Sequence, residues 1–360
     1  MALTMVDVFA GCGGLARGLE DTGAFTTIMA LERDVDAADT FAANFQTDVL
    51  VGDVEEVPSF PRADVLVGGP PCQPFSLLNR QGVGGERRNL WREYLRVLVG
   101  TRAELFLMEN VPGLLRSQEY LTFRREVSRR GFTVRHRVVD AADFGVPQRR
   151  ARAIVLGFKG REPVWPEPSH YAPHHAVESG APWRTFRQAV EGLPLAPDGL
   201  NWHRSRMPRR ESVRRYQAVP HDGGNRFEMQ ERLDEEGLGH LVPDCWRRKA
   251  QGTTDVFGRL WWDRPACTIR TEFYKPEKGR YLHPAEDRSI TVREAARLMS
   301  FCDGFHFPET QSMTSVGRQI GNAVPPLLAQ ALGRALADSF TSSPRIPEAE
   351  NTREAEIFAV

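Results

Sequence analysis

Through its first ~160 residues the sequence alternates short apolar runs with amphipathic stretches, and few architectures accept that alternation. Runs at 3–9, 26–31, 49–51, 65–67, 105–108, 133–139 and 153–158 read as strands; stretches at 14–21, 35–45, 90–99 and 120–129 read as helices. A strand that returns to its sheet through a helix pairs in parallel, so the expected fold is α/β, a doubly wound and mostly parallel sheet. From 161 to about 287 the periodicity weakens, and Pro, Arg, His and Trp accumulate in what reads as irregular strands and loops. Helical patterns return at 292–299 and 324–340. The expected organisation is a discontinuous large domain (1–160 plus 290–340), a smaller irregular domain (161–289) and a flexible acidic tail (341–360).

With 360 residues, 41% of them hydrophobic, the chain can bury two cores. No apolar run reaches the length of a membrane span and the N-terminus lacks a signal pattern, so a cytoplasmic protein is expected. The five cysteines (12, 72, 245, 267 and 302) are scattered and form no CxxC, which argues against a disulfide framework and a structural zinc site. A formal net charge of zero gives no global argument for nucleic acid. Locally, Arg204, Arg206, Arg209, Arg210, Arg214 and Arg215 stand against one acid, Glu211. Such a run could follow a phosphate backbone or be ordinary solvated surface.

The chemistry-bearing residues fall where strands end. Directly after the run at 65–67 comes GGPPCQPFS at 68–76. Its prolines fix φ and remove backbone donors, holding Cys72 on a stiff loop at the sheet edge where α/β proteins bind ligands. DVFAGCGG at 7–14 occupies the first strand-to-helix turn, where glycines let a ligand approach helix N–H groups. Gly11, Gly13 and Ala16 also match the dinucleotide fingerprint, which keeps a nicotinamide or flavin site open. Glu32, ending the second strand, could accept both hydroxyls of a ribose, and Asp53, after the third, could accept from an adenine amino group. Together they fit an adenosine-containing cofactor without saying which; acids at such positions also serve as helix N-caps. Glu109, at a further strand end, could share a ligand with Cys72 or cap a helix. Arg150 and Arg152, at alternate positions of an extended segment, are expected to project to one side.

In order along the chain, DVFAGCGG (7–14), Glu32, GDV (52–54), GGPPCQPFS (68–76), ENVPG (109–113), QRRARAIVLG (148–157), REAARLMSF (293–301) and GRQIGNAVP (317–325) form a set that resembles the DNA cytosine-5 methyltransferases over nearly its whole length. The resemblance implies a Rossmann-like, S-adenosylmethionine-dependent methyltransferase without a metal. It implies that Cys72 attacks C6 of a flipped-out cytosine, that Glu109 binds N3 and the exocyclic amine, and that Arg152 contacts the base and supports the loop. Phe9, Gly11, Gly13, Gly14, Glu32, Asp53 and Asn322 would line the cofactor pocket. Residues 161–289 would be a target-recognition domain, with the arginine run, Arg247-Arg248-Lys249 and the segment 255–265 facing duplex DNA. Further implied are a monomer and either the modification enzyme of a restriction–modification system, with a cognate restriction endonuclease acting on the same site, or a solitary relative of such enzymes. Cys12, Cys245, Cys267 and Cys302 read as packed structural residues, and Trp261 and Trp262 as core rather than base-stacking.

Rival readings explain less. A tRNA cytosine-5 methyltransferase shares the chemistry, but the long variable region favours a duplex reader. A NAD-dependent oxidoreductase leaves GGPPCQPFS and GRQIGNAVP unexplained, and a non-catalytic DNA-binding regulator has no use for intact Cys72 and Glu109.

Overall fold

The computed structural model describes residues 2–71, 90–173, 180–247 and 253–342. They divide into two compact units: residues up to 144 with 151–169 and those from 323, and residues 145–150 with 170–322.

The first unit is built on seven strands: β1 (Leu3–Val8), β2 (Phe25–Glu32), β3 (Val49–Val51), β4 (Val65–Gly68), β5 (Leu105–Asn110), β6 (Phe132–Asp140) and β7 (Ala151–Lys159). Their order across the sheet is β3-β2-β1-β4-β5-β7-β6. The pairs from β3 to β5 are parallel, and β7 runs antiparallel to both β5 and β6. The expected doubly wound, mostly parallel sheet is therefore what the chain forms. From β1 the chain winds outward to β2 and β3, then returns to β4 on the opposite flank. That reversal opens a crevice beyond the carboxyl ends of β1 and β4, where Val8 lies opposite Gly68.

Buried on both faces, the central strands read as continuous apolar runs; β4 and β5 are buried at every residue. The connecting helices are α1 (Gly14–Glu20), α2 (Val35–Ala42), α3 (Leu90–Thr101) and α4 (Gln118–Ser128). Capping by Asp34 starts α2, and capping by Ser117 starts α4. The buried Tyr94 hydroxyl pins α3 to the sheet by donating to the Leu107 carbonyl at 2.8 Å. A C-terminal helix, Pro326–Ser342, packs on α1. A Cβ on Gly18 would stand 2.2 Å from the Pro326 carbonyl oxygen, so only glycine allows this approach.

In the second unit, structure departs from expectation. Among the described residues its strands amount to a two-residue parallel pair, β8 (His170–Tyr171) with β9 (Ala181–Pro182). The rest is α5 (Phe186–Val190), α6 (Arg210–Ala218), α7 (Arg226–Glu235), α8 (Asp244–Arg247), α9 (Val292–Leu298) and α10 (Met313–Asn322), joined by loops and 3₁₀ turns. Helices form here because the ends are well capped: Thr185 with Gln188, Asn225 with Glu228 and Thr291 with Glu294 are reciprocal capping boxes.

The division expected near residue 290 is not where the compact units part, since α9 and α10 lie within the second. Long-range polar links explain this. Arg288 pairs with Glu294 through two 2.8 Å bonds and donates to the Leu195 carbonyl. His203 meets Thr291, and the Trp202 indole N–H donates to the Phe307 carbonyl. Of the expected tail, residues 341 and 342 close the C-terminal helix, and the remainder lies outside the described residues.

Candidate active site

The carboxyl ends of β1 and β2 hold the first cluster. Phe9 follows β1 with φ of 59°, a left-handed conformation rare for a bulky residue and concentrated at functional sites. The turn then exposes Gly11, whose φ is +57° and whose hypothetical Cβ would meet nothing within 4 Å, so there is room for a ligand against the backbone. The Gly11 N–H donates to Glu32 Oε2 at 2.8 Å, and the Asp34 N–H donates to Oε1 at 2.8 Å. Two backbone donors thus fix the Glu32 carboxylate at the end of β2, while each oxygen keeps a lone pair for a further donor. Gly13 caps α1 in a left-handed conformation and Gly14 begins it, both buried. The Gly52 N–H donates to the Glu32 carbonyl, keeping Asp53 near this edge. Asp53 is exposed and pairs with Arg33 at 3.2 Å.

Two groups behind this turn are sealed from water. Asp7 is fully buried, and neither carboxyl oxygen finds a hydrogen-bond partner among the described residues. Burial, then the charges of Glu32 and Glu20, push its pKa well above the usual carboxylate range, which favours the protonated form. Burial likewise pushes the Cys12 thiol up to about 12, which makes it inert, in keeping with a packed structural role.

The second cluster surrounds the chain leaving β4. Cys72 lies outside the described residues. The segment before it passes hard against Glu109: a Cβ on Gly69 would stand 3.3 Å from Glu109 Oε2. Glu109 sits within β5, buried, opposite Ile154 of β7. Near the start of β7, Arg152 Nε forms an ion pair with Glu109 Oε1, 2.8 Å away, both side chains largely enclosed. The structure therefore brings Glu109 and Arg152 together, and Phe9, Gly11 and Glu32 together. Arg150 does not share the place of Arg152; it is buried in the second unit, donating to the carbonyls of Ile269 and Gly321. Asn322 ends α10, exposed, in that same unit.

The arginine run separates into two kinds. Arg204 lies over the Trp202 ring at 3.9 Å, Arg206 reaches Glu277 at 3.7 Å, and Arg215 donates to the Leu241 carbonyl. Arg209, Arg210 and Arg214 are exposed, and their side chains make no hydrogen bond or ion pair among the described residues. Arg247 is engaged by Asp234 at 2.6 and 3.1 Å, while Arg248 and Lys249 lie outside the described residues. Trp261 is flanked by Arg264 and Arg280, and Trp262 packs edge-on against Phe186 and His283. Sequence reading passed over Asp7 and Asn110 as individuals, although both stand inside motifs it singled out.

A family model described as C-5 cytosine-specific DNA methylase matches residues 3–338. The chain is 32% identical over 359 residues to the Type II methyltransferase M1.HphI of Haemophilus parahaemolyticus, covering 95% of this chain and 88% of that protein. It is 31% identical over 361 residues to the Type II methylase M.HgiDII of Herpetosiphon aurantiacus, covering 94% and 95%. Among solved structures, a Spodoptera frugiperda DNMT2 variant superposes with a TM-score of 0.65 at 16% identity, over 93% of this chain and 99% of that one, a likeness of fold.

Proposed function

The chain belongs to the C-5 cytosine-specific DNA methylase family, a DNA (cytosine-5)-methyltransferase by class, and from that premise we propose that it methylates C5 of a flipped-out cytosine in a specific duplex sequence through a covalent Cys72 adduct. The observation that carries this reading is the Glu109–Arg152 pair, set beside the chain that leads from Gly69 towards Cys72.

The first cluster fits S-adenosylmethionine. Open space above Gly11 admits its amino-acid part, the fixed Glu32 carboxylate suits a ribose diol, and Asp53 stands at the next strand end for the adenine. When bound, the cofactor supplies an electrophilic methyl group on a sulfonium centre. Phe9 supplies a ring face for the adenine, Gly13 and Gly14 complete the turn beneath the cofactor, and Asn322 is a further cofactor-binding residue in this reading.

Each catalytic residue then has one task. Cys72, as thiolate, adds to C6 and pushes electron density to C5. Glu109 holds N3 and the exocyclic amine, stabilising the charge that develops on the pyrimidine. Arg152 keeps the Glu109 carboxyl turned to the base and contacts the flipped nucleotide. Removal of the C5 proton after transfer expels the Cys72 thiolate and restores the ring. Duplex DNA is held by the free arginines Arg209, Arg210 and Arg214. The names of its Type II relatives support a modification enzyme working beside an endonuclease of the same specificity.

Bisulfite sequencing of DNA from a host expressing the protein tests the reaction and reveals the target. On that target carrying 5-fluorocytosine, wild type should form an adduct that survives denaturation and Cys72→Ser should form none. No adduct from wild type on a verified target rejects the mechanism.

A further inference from the structure

The parallel ladder between β4 and β5 ends where Gly68 lies opposite Met108. Beyond that point the chain runs through Pro70 and Pro71, which have no N–H to offer a neighbouring strand. Meanwhile β5 continues two residues further, its backbone paired on the other side with β7, Asn110 opposite Ala153. Past Gly69 the chain leading to Cys72 thus has carbonyls to be bonded but, at Pro70 and Pro71, no donor of its own.

One side chain supplies a donor. Asn110 is 3% exposed, and its Nδ2 donates to the Pro70 carbonyl at 2.9 Å. Its Oδ1 accepts the Val111 N–H at 2.9 Å. The chemistry fixes which end of the carboxamide is which, since a carbonyl can only accept and an N–H can only donate. Both ends are therefore committed, and the amide cannot turn without breaking one bond.

The geometry points to Asn110 as a positioning residue for the proposed methyl transfer: by donating to the Pro70 carbonyl beyond the end of the ladder, it sets the path towards Cys72 against the strand end that carries Glu109. This rests on the reading of Cys72 and Glu109 as a catalytic pair. Asn110 acts only through the Pro70 carbonyl and touches no reacting atom. A misdirected nucleophile loses rate without losing the ability to bind its substrates.

The test uses the full chain with Asn110→Ala and Asn110→Asp. Under single-turnover conditions Asn110→Ala should slow adduct formation with 5-fluorocytosine duplex roughly ten- to a hundred-fold. Affinities for DNA and S-adenosylmethionine should stay within about two-fold, so that the loss falls on kcat rather than KM. Asn110→Asp should be as slow at neutral pH, where its carboxylate faces the carbonyl it must bond. Its rate relative to wild type should recover as pH falls, because the protonated carboxyl can donate to Pro70, and a purely structural residue would show no such rescue. A second measurement is independent of activity: amide exchange in the peptide 64–71 should accelerate in Asn110→Ala and not at other strand ends. Wild-type adduct rates in Asn110→Ala, or a loss that tracks melting temperature or cofactor affinity, would overturn the proposal. If wild type forms no adduct on its target, the methyltransfer mechanism fails, and the exchange measurement still decides whether Asn110 holds the chain.

Discussion

The two units satisfy their backbones by different means. In the first, strands pair with strands, and the core between sheet and helices is apolar, with Val6, Leu66, Tyr94, Phe106, Phe123 and Val155 all nearly inaccessible. In the second, where one apolar cluster is centred on Tyr216, Met229, Leu233, Phe257 and Leu282, arginines do much of what the ladder does elsewhere. Arg259, fully buried, donates to the carbonyls of Tyr216, Val219, His283 and Glu286 and to the Asp287 carboxylate. Arg280 serves Gly223, Gly224, Thr254 and Arg259. Arg293 serves Asn201, Cys302 and Phe305. An irregular backbone must still pair its buried carbonyls, and a guanidinium offers five donors in a rigid fork. A sheet spreads the pairing of its backbone along every strand, whereas this unit concentrates much of it in a few side chains.

The largest effect should follow from removing one such position. Arg259→Met should destabilise the second unit by roughly 3–5 kcal/mol, because several buried carbonyls and Asp287 lose their partner at once. Arg259→Lys should be nearly as harmful, since one ammonium cannot span the same acceptors. Hydrogen exchange resolved by segment should show lost protection across 216–242 and 253–290 with β1, β4 and β5 unchanged. Equal loss in both units would abolish the contrast.

Acid should also act selectively. His283 is buried beside Glu294, Arg288, Arg259 and His203, and its Nδ1 accepts the N–H groups of Ala285 and Glu286. Burial above all lowers its pKa to about 4 from 6.5; the Glu294 charge opposes this, and the positive neighbours add to it. Between those values the unfolded chain binds more protons than the folded one, so stability falls as pH drops from 6.5 to about 4. The loss should be roughly 2–4 kcal/mol. Glu294 adds to it at lower pH: burial raises its pKa, but the Arg288 bond and charge, the His283 charge and the Thr291 N–H together hold it below the usual value. Chemical denaturation at a series of pH values should show this slope in wild type and a shallower one in His283→Gln. An unchanged slope would remove His283 from the account.

A smaller effect should appear in the first unit at Gly18. Alanine there gains about 1 kcal/mol of helix propensity but drives a methyl into the Pro326 carbonyl, so a net loss of roughly 1–3 kcal/mol is expected in urea denaturation. A gain in stability would mean that α1 and the C-terminal helix can separate cheaply. The smallest effect on stability is expected for Arg209→Ala combined with Arg210→Ala, within about 0.5 kcal/mol of wild type. The same variant should bind DNA more weakly at all sequences and lose about two units of salt slope, with S-adenosylmethionine affinity unchanged. Normal DNA binding would mark these arginines as solvated surface.

What could be read in the sequence follows the same contrast. Strand and helix periods in the first unit are local, and the elements at 49–51, 65–67 and 105–108 appear within two residues of their expected ends. Glu32 at the end of β2 and Glu109 near the end of β5 were legible for that reason. In the second unit α6 buries only Tyr216 and Ala218, too few residues for a visible period. The capping pairs Asn225–Glu228 and Thr291–Glu294 were the available signal. The contacts that assign α9 to this unit join residues about ninety or more positions apart, such as His203 with Thr291, and no periodicity records them. The Asn110 bond to Pro70, across forty positions, was hidden in the same way.

The packing of the C-terminal helix against α1 has a consequence for synthesis. That helix also reaches β7, where Phe340 lies 4.9 Å from Phe158, and Ser339 receives the Val164 N–H. Strand β7 leaves the ribosome complete roughly 170 residues before the helix that covers it, an interval on the order of ten to thirty seconds at ordinary elongation rates. Throughout that time the nascent sheet lacks its final layer while all of residues 170–322 are made. The inserted unit is therefore synthesised in full before the host sheet, begun earlier, receives its last layer.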